Sequence, residues 1–345
     1  MATGVEDWEK SEMLASKMLH WERVNAAVAG QAVDRVPVTL WRHFPGIDMD
    51  PVKLAEASIR WQRTYDFDLV KFMPAGTSGV EDWGAVSAYY PSPVGTRTII
   101  KPGLTTAEEW PRLARLSPKE GRLGQEVKAI ALAAEGLHGE VPILQTVFSP
   151  LTTAFKLAGD RVFADLRRHP DLFEAGLAII TETAIAYARA CLQAGAHGLF
   201  FATQCASYRM LNEAEHLRFG VGYDRFFLDG VATESKFTML HLCGNDLMFD
   251  QMLDYPVNMV NWYDRGSELN LSEAMSRFGG LLAGGVDQEA TLPEGPIEAI
   301  KHEVHDAITR TSGRRLMIAP GCVVPTTTPE SHYRAVIEAV REMSP

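Results

Sequence analysis

One histidine and two cysteines have the residue types and spacing of a catalytic metal site. His241 and Cys243 lie in the segment HLCGN, which follows the apolar run Phe237 to Leu240. Cys322 lies in a second run of the same kind, RLMIAPGCVVP. Imidazole nitrogen and thiolate sulfur are ligands that zinc prefers, and three protein ligands leave one coordination position open, as in catalytic sites. The pattern therefore predicts zinc bound by His241, Cys243 and Cys322.

Such a site would activate a thiol. A thiol becomes a good nucleophile when it loses its proton, and zinc coordination removes that proton near neutral pH. The resulting thiolate would attack an electrophilic methyl group. The alternative interpretation is that both cysteines are small buried hydrophobic residues and that His241 is a hydrogen-bonded core residue. The position of Cys322 at the end of a second strand favours the metal site.

Two kinds of segment alternate along the chain and must position these residues. Eight apolar runs are predicted to be strands: Val36–Trp41, Leu69–Met73, Ile143–Phe148, Gly198–Ala202, Phe237–Leu240, Met259–Trp262, Leu281–Val286 and Leu316–Ala319. The predicted helices between and after them are Pro51–Thr64, Leu123–Glu135, Leu172–Ala194, Asp224–Ser235, Asp246–Met252, Leu271–Arg277, Pro296–Thr311 and Glu330–Glu342. Nearly continuous apolar runs are typical of parallel strands buried on both faces. This alternation predicts an α/β fold, the TIM (β/α)8 barrel.

Two further segments modify the predicted barrel. Residues 1–30 carry apolar side chains at helical spacing and are predicted to form an N-terminal helix. The stretch AVSAYYPSPVGTRTIIKPG, residues 85–103, is predicted to be a hairpin inserted after the second strand, where it would cover the active site. The sequence has no repeat, low-complexity tract or linker, so residues 1–345 are predicted to form a single TIM-barrel domain.

The chemistry of such barrels takes place where the strands end, at the C-terminal face. The polar side chains predicted at these ends are candidates for substrate binding: Arg42, His43, Lys71, Gln145, Gln204 and Asn261. Structural hydrogen bonds at the barrel end are the alternative role for each of them. The two parts of the metal site come from the fifth and eighth strands, whose ends face a common central mouth.

Composition and charge exclude several other classes of function. The formal net charge of -11 leaves no basic surface for a nucleic acid. The N-terminus, MATGVEDWEK, lacks the features of a signal peptide. The apolar run Leu177 to Ala190 is interrupted by Glu182 and Arg189, so no membrane span is predicted. Four cysteines do not make a disulfide framework, which predicts a protein of a reducing cytoplasm.

Six segments give the chain a resemblance to a known family over nearly its whole length. They are ERVNAAVAGQAVDRVPV (22–38), VPILQTVFSPLTTAFKL (141–157), HPDLFEAGL (169–177), QAGAHGLFFA (193–202), HLCGN (241–245) and GGVDQEATL (284–292). In this order and spacing they resemble the uroporphyrinogen decarboxylase superfamily. The H-x-C…C pattern is similar to one branch, the zinc-dependent methyltransferases that move a methyl group between a corrinoid protein and a thiol.

The resemblance has three implications for the site. A corrinoid would be carried by a separate protein, because this chain has no D-x-H-x-x-G corrinoid-ligand motif. Related zinc barrels supply an acidic ligand from the strand after H-x-C, which makes Asp264 in VNWYDRG a candidate fourth ligand; the alternative is a surface partner of Arg265. True decarboxylases clamp substrate carboxylates with an R-Q-A-G-R-Y segment after the first strand. Here Arg42 and His43 are followed by FPG, so the second arginine is missing.

The sequence therefore predicts a zinc-dependent methyltransferase acting between a corrinoid protein, or another small-molecule methyl donor, and a thiol or tetrahydrofolate acceptor. The first alternative is a metal-independent decarboxylase of another substrate, in which Arg42 would act with a carboxylate at the barrel mouth. The second is a non-enzymatic protein that only binds a corrinoid or tetrapyrrole. The donor, the acceptor, the direction of transfer and the oligomeric state, with a homodimer as one option, are left open.

Overall fold

A computed structural model describes residues 17–344 and has a curled sheet of seven parallel strands at its centre. In spatial order the strands are β1 (Val70–Phe72), β4 (Ile143–Phe148), β5 (Gly198–Thr203), β6 (Phe237–Leu242), β7 (Met259–Trp262), β8 (Leu281–Val286) and β9 (Leu316–Pro320). Helices cover the outer face of this sheet. The α/β TIM-like fold predicted from the sequence is confirmed.

An extended segment closes the sheet between its two edge strands. Val38 forms a single parallel bridge with Ile318 of β9. On its other side, the Asp68 backbone N donates to Val38 O at 2.9 Å, and the Asp68 carboxylate accepts from Val38 N at 2.8 Å. The prediction of a full strand over Val36–Trp41 is wrong, because Pro37 has no N–H and a side chain occupies the donor of Val38. The segment nevertheless occupies the eighth position of the barrel.

The helices largely follow the predicted alternation. The longer ones are α1 (His20–Val28), α2 (Pro51–Tyr65), α4 (Gly121–Leu137), α7 (Pro170–Gln193), α9 (Gly222–Val231), α10 (Leu271–Arg277), α12 (Ile297–Thr311) and α13 (Glu330–Glu342). Short helices are α3 (Ser78–Glu81), α8 (Glu213–Glu215) and α11 (Thr291–Glu294). Helix α1 lies within the predicted N-terminal helix, whose residues 1–16 fall outside the described part of the chain.

Several elements differ from the prediction. Only a 3-10 turn, Phe249–Met252, forms within the helix predicted over Asp246–Met252. Besides the short helices α3, α8 and α11, the unpredicted elements are α5 (Pro150–Ala158), α6 (Arg161–Arg168), a 3-10 helix (Ala107–Arg112) and a π-helical turn (His216–Val221). The predicted hairpin after the second strand is confirmed as β2 (Val86–Tyr89) paired antiparallel with β3 (Arg97–Lys101).

Helix α5 begins directly after β4, and it carries Lys156 at the barrel mouth. Its N-cap residue Ser149 accepts a hydrogen bond from Thr152 N, and Pro150 occupies the first helical position, where its missing N–H costs nothing. Gly159 ends the helix with a φ of 64°, a conformation that favours glycine. These local signals explain a short helix that apolar periodicity alone did not predict.

Helix α7 is long and apolar enough, by length and composition, to cross a membrane. In the described structure its side chains Phe173, Leu177 and Ile180 are fully buried in a cluster with residues of α5, α6 and the 3-10 helix. A buried helix of this kind is also typical of a protein core, and this packing accounts for its apolar composition.

Alternate residues of each barrel strand face opposite layers. On β6, Phe237 and Met239 pack into the barrel interior, whereas Leu240 and Leu242 pack against the surrounding helices. The same alternation places Met259 of β7 inside the barrel. Because successive side chains of a strand point to opposite faces, this parity decides which polar residues can reach the central mouth.

Candidate metal centre and substrate cavity

The structure brings His241, Cys243 and Cys322 together at the C-terminal mouth of the barrel. His241 has the same parity as Met239 and therefore points into the barrel; Cys243 directly follows β6, and Cys322 lies two residues beyond β9. Their ligand atoms all lie within 4.8 Å of one another, and Cys322 Sγ is 3.8 Å from His241 Nε2. Tetrahedral zinc at ordinary bond lengths separates its ligand atoms by about 3.4–3.8 Å. The Cys322–His241 distance fits one such ion, and the two distances from Cys243 would have to shorten by at most about 1 Å.

The two thiols at this site are electrostatically unequal. The nearby Cys243 side chain lowers the pKa of Cys322 well below its usual value. The proximity of Cys322 raises the pKa of Cys243 well above its usual value, and burial adds to the increase. Binding of a metal ion by both cysteines would require both thiols to lose their protons.

Asn261 of β7 lies next to the ligands and does not line the cavity described below. Its Oδ1 is 2.6 Å from His241 Nδ1, and its Nδ2 donates to the carbonyl oxygens of Ala283 and Pro320. These contacts engage both polar atoms of the amide. The structure therefore places Asn261 behind the metal site, contrary to the predicted contact with substrate.

The structure does not bring Asp264 to the metal site. Its carboxylate oxygens accept from Gly285 N at 3.0 and 3.1 Å, beside β8. Among the described residues, the group that could hold a metal contains His241, Cys243 and Cys322 but not Asp264. The carboxyl is buried, and burial raises its pKa to about 7. Asp264, predicted as the fourth ligand, is thus hydrogen-bonded to the backbone and is not part of the candidate metal site.

A cavity of about 90 Å³ lies beside the metal ligands. Its wall contains the aromatic residues Trp41, Phe148 and Phe200 and the polar residues Thr96, His43, Lys71, Lys156 and Gln204, together with His241 and Cys322. Three of the predicted substrate-binding residues, His43, Lys71 and Gln204, therefore line it. This volume suits a small ligand.

Two buried lysines give the cavity a positive wall. Burial lowers the pKa of Lys71 to about 7 and that of Lys156 to about 8. The Nζ of Lys71 is 4.3 Å from the ring centroid of Phe200, and the Nζ of Lys156 is 4.2 Å from that of Phe148. No carboxylate of the described chain forms an ion pair with either ammonium group. Buried charges are normally paired, so these two cations are suited to an anionic ligand.

Lys156 was missed by sequence reasoning because α5 was not predicted. The available signal was a lysine in the otherwise apolar segment PLTTAFKLAG, immediately after a strand end. His43, on the opposite wall, is neutral because burial lowers its pKa to about 3, and the Lys71 charge lowers it further. Its Nδ1 is buried without a hydrogen-bond partner, so it can accept from or donate to a ligand.

Arg42 and Gln145 face away from the cavity, contrary to the prediction. The Arg42 guanidinium lies 5.0 Å from the ring centroid of Trp61 on α2, and its Nη1 donates to Thr326 O. Gln145 Nε2 donates to Tyr187 OH on α7 at 2.6 Å. Both residues occupy alternate positions whose side chains point toward the helices, so their strand-end positions do not bring them to the mouth.

The β2–β3 hairpin covers one side of the cavity, as predicted. Thr96, just before β3, contributes to the wall. Pro93, between the two strands, accepts a hydrogen bond from Thr326 N at 2.7 Å, which ties the hairpin to the loop after β9. Gly95 between them has a φ of 72°, and a Cβ there would approach Thr326 to 2.7 Å.

Comparisons with known proteins agree with this architecture. The family model "Uroporphyrinogen decarboxylase (URO-D)" matches residues 19–343. The methylcobamide:CoM methyltransferase MtbA of Methanosarcina acetivorans is 23% identical over 339 residues, which are 93% of this chain and 97% of that protein. MtaA of Methanosarcina barkeri, of the same description, is 28% identical over 223 residues, 64% of each chain.

Among solved structures, a methyltransferase from Methanosarcina mazei has a TM-score of 0.82 at 24% sequence identity, covering 94% of this chain and 99% of its own. At this identity the likeness establishes the fold alone. The family model, by contrast, matches nearly the whole chain. The chain belongs to the uroporphyrinogen decarboxylase (URO-D) family, and relatives that it matches include proteins named methylcobamide:CoM methyltransferases.

Proposed function

We propose that this chain is a zinc-dependent methyltransferase that moves a methyl group between a corrinoid carried by another protein and a small thiol. The observation that carries the proposal is the convergence of His241, Cys243 and Cys322 beside a small cavity. The names of the relatives support the same class of reaction. Zinc bound there would supply a Lewis acid that holds a substrate thiol as thiolate near neutral pH.

The residues of the chain would place the two reactants. The sulfur of the thiol would lie beside Cys322 and His241, which line the cavity, and its carbon chain would lie against Trp41 and Phe200. Enclosure by aromatic side chains excludes water, which would otherwise compete for the methyl group. The corrinoid would be carried by a separate protein, since the sequence has no corrinoid-ligand motif of its own. It would approach from the C-terminal mouth, where the candidate metal ligands lie.

The cavity favours a thiol that carries a compact anionic group. Lys71 and Lys156 present two buried ammonium groups without carboxylate partners, and both line the same 90 Å³ space as Cys322. Tetrahydrofolate, the other acceptor considered, is far larger than this space. A single domain over residues 1–345 and a location in the cytoplasm remain part of the proposal, and a homodimer remains one option for the oligomeric state.

The zinc proposal predicts one zinc ion per chain in protein purified without chelator. X-ray absorption should show one nitrogen and two sulfur ligands from the protein. Adding 2-mercaptoethanesulfonate should place one further sulfur on the metal, whereas the uncharged 2-mercaptoethanol at the same concentration should do so much less, because it lacks a group for the two lysines. Protein without stoichiometric zinc would contradict the metal site. Methyl transfer without coordination of an additional sulfur to the metal would indicate that the methyl acceptor is not a thiol.

The alternative, a metal-independent decarboxylase, leads to a negative prediction. Uroporphyrinogen carries eight carboxylates, and recognising them requires guanidinium groups at the mouth. Arg42 instead stacks on Trp61, and the net charge of -11 repels a polyanion. We therefore expect no coproporphyrinogen when purified protein is incubated with uroporphyrinogen. Turnover at about 1 per second or faster, which is ordinary for enzymes, would place the chain among the decarboxylases.

A binding protein without catalytic activity is the remaining alternative. It would retain the corrinoid partner or the thiol in the same cavity but give no product. Incubation with a methylated corrinoid protein and 2-mercaptoethanesulfonate, followed by mass spectrometry of the methyl thioether, separates binding from turnover.

A further inference from the structure

Asn261 occupies a fixed hydrogen-bonding position behind the candidate metal ligands. Its side chain is 0% exposed, its Oδ1 lies 2.6 Å from His241 Nδ1, and its Nδ2 donates to Ala283 O at 2.8 Å and Pro320 O at 3.0 Å. We propose that Asn261 is a positioning residue that fixes the tautomer of His241 and its alignment with Cys322, and thereby sets the metal affinity. For the metal, this inference rests on the proposed function.

The orientation of the Asn261 amide is determined by its neighbours. The only alternative is a flip that exchanges the amide oxygen and nitrogen. A flip would place Oδ1 against the carbonyl oxygens of Ala283 and Pro320, which are acceptors only. The two carbonyl groups therefore hold the amide nitrogen on their side, and Oδ1 necessarily faces His241.

This orientation selects one tautomer of His241. An amide oxygen only accepts hydrogen bonds, so Nδ1 of His241 must carry the proton. In the neutral ring the lone pair is then on Nε2, the atom that lies 3.8 Å from Cys322 Sγ. A histidine binds a metal through its unprotonated nitrogen. The ring also stacks on Phe200 with 5.1 Å between centroids, which restricts its tilt.

The side-chain amide of Asn261 connects the two strands that carry the ligands, through its oxygen on one side and its nitrogen on the other. In the sheet, β6 and β9 are separated by β7 and β8, so no backbone ladder joins them directly. From β7, Asn261 reaches His241 of β6 on one side and the last residue of β9, Pro320, on the other. Cys322 follows only two residues later. One side chain thus spans the distance between the ligand-bearing ends of the barrel.

The chemistry of an amide suits this position better than that of a carboxylate. Residues that support a metal-bound histidine are often carboxylates, which also add negative charge. Two thiolates already supply negative charge to this site, and a third buried anion would be costly. An aspartate at position 261 would also present an oxygen to the carbonyls of Ala283 and Pro320, where asparagine donates.

The test uses two substitutions and a matched control. Asn261→Ala removes all three hydrogen bonds, and Asn261→Asp keeps the size and the acceptor but removes both donors. Asn258→Ala is the control: it precedes β7, and its Oδ1 accepts from Thr238 N at 2.6 Å, at the other end of the same strands. We expect both Asn261 variants to bind zinc about 10- to 100-fold more weakly, as for other groups that orient metal ligands, and the control to bind normally.

A second measurement reports on His241 without any metal. In metal-free, reduced protein labelled with ¹⁵N-histidine, the ring nitrogen shifts should show the Nδ1–H tautomer of His241 in the wild type and in Asn258→Ala. The signals are assigned by comparison with His241→Ala. Asn261→Ala should lose this preference, whereas Asn261→Asp, whose carboxylate still accepts from Nδ1, should keep it. Asn261→Leu, which also lacks an acceptor, replaces Asn261→Ala if that variant does not fold. A purely structural asparagine would lower thermal stability without changing the tautomer.

The two measurements distinguish the failure of this inference from that of the proposed function. An unchanged His241 tautomer together with wild-type zinc affinity in the variant that lacks the acceptor, Asn261→Ala or Asn261→Leu, would overturn the positioning role. A wild-type protein that binds no zinc would refute the proposed metal site, while a tautomer that still depends on Asn261 would support the positioning of His241. Titrating Co²⁺ and following its thiolate charge-transfer absorption checks the geometry, which should change in the Asn261 variants only.

Discussion

Replacing Cys322 with serine is expected to abolish stoichiometric zinc binding and, with it, methyl transfer. Cys322 supplies one of three donor atoms that lie within 4.8 Å of one another, and serine is a far weaker ligand for zinc than thiolate. Groups that only orient a ligand contribute about 10- to 100-fold to metal affinity, so loss of a ligand should cost more than about 100-fold. Cys243→Ser should behave in the same way. Zinc per chain, determined by elemental analysis after gel filtration, measures the effect.

Cys205→Ala is the matched control for these two variants. Cys205 lies in the loop after β5 on the same face of the barrel, is buried, and is absent from the group that could hold a metal. Burial raises the pKa of its thiol to about 12, which is typical of an inert, packed cysteine. The control should keep its zinc, and the ligand variants should keep their helical content. If Cys322→Ser and Cys243→Ser both retained full zinc, the metal site would be wrong.

Replacing either cavity lysine with methionine is expected to raise KM for an anionic thiol about 10- to 100-fold. A hydrogen bond to a charged partner contributes about 1.5–3 kcal/mol, which corresponds to this range. Lys71→Met and Lys156→Met each remove one ammonium group and keep an apolar side chain of similar length against Phe200 or Phe148. The kcat should change less than KM, since neither lysine is a metal ligand. Steady-state kinetics with 2-mercaptoethanesulfonate measure both constants.

The pH dependence of KM provides an additional test of the same two residues. Burial lowers the pKa of Lys71 to about 7 and that of Lys156 to about 8, so both ammonium groups are present below pH 7 and are lost as the pH rises through 7 and 8. KM for the anionic thiol should therefore rise between pH 7 and 9. Lys128→Met, at an exposed position on α4, is the control and should leave KM unchanged. Equal KM values for both cavity variants and the control would rule out the proposed anion site.

Which strand-end residues reach the mouth could not be read from the sequence. Parallel strands that are buried on both faces show no apolar–polar alternation, so the inward parity leaves no mark in the sequence. In the structure, Lys71 and His43 have the inward parity and line the cavity, while Arg42 and Gln145 have the other parity and contact α2 and α7. The predicted positions along the strands were useful, but the sequence could not separate the residues that point inward from those that point outward.

Two other differences arise from contacts that are distant in sequence. Asp264 is the carboxylate nearest to the predicted strand end, yet the free N–H of Gly285 on the neighbouring strand binds it. Lys156 became part of the cavity because α5 folds back over the end of β4, which its short apolar sequence did not predict. Such contacts depend on the packing of whole elements, whereas sequence patterns report mainly local preferences.

The sequence by itself determined the α/β barrel, the inserted hairpin and the three candidate metal ligands. It could do so because strand and helix periodicity are local properties, and because histidine and cysteine are chemically distinctive where they follow apolar strands. Only the tertiary structure decided that Asn261 supports His241 instead of lining the cavity, and that Lys71 and Lys156 face the same small space. These relations join different strands and helices, and their distances are set by how the barrel closes and by the inward parity of each strand.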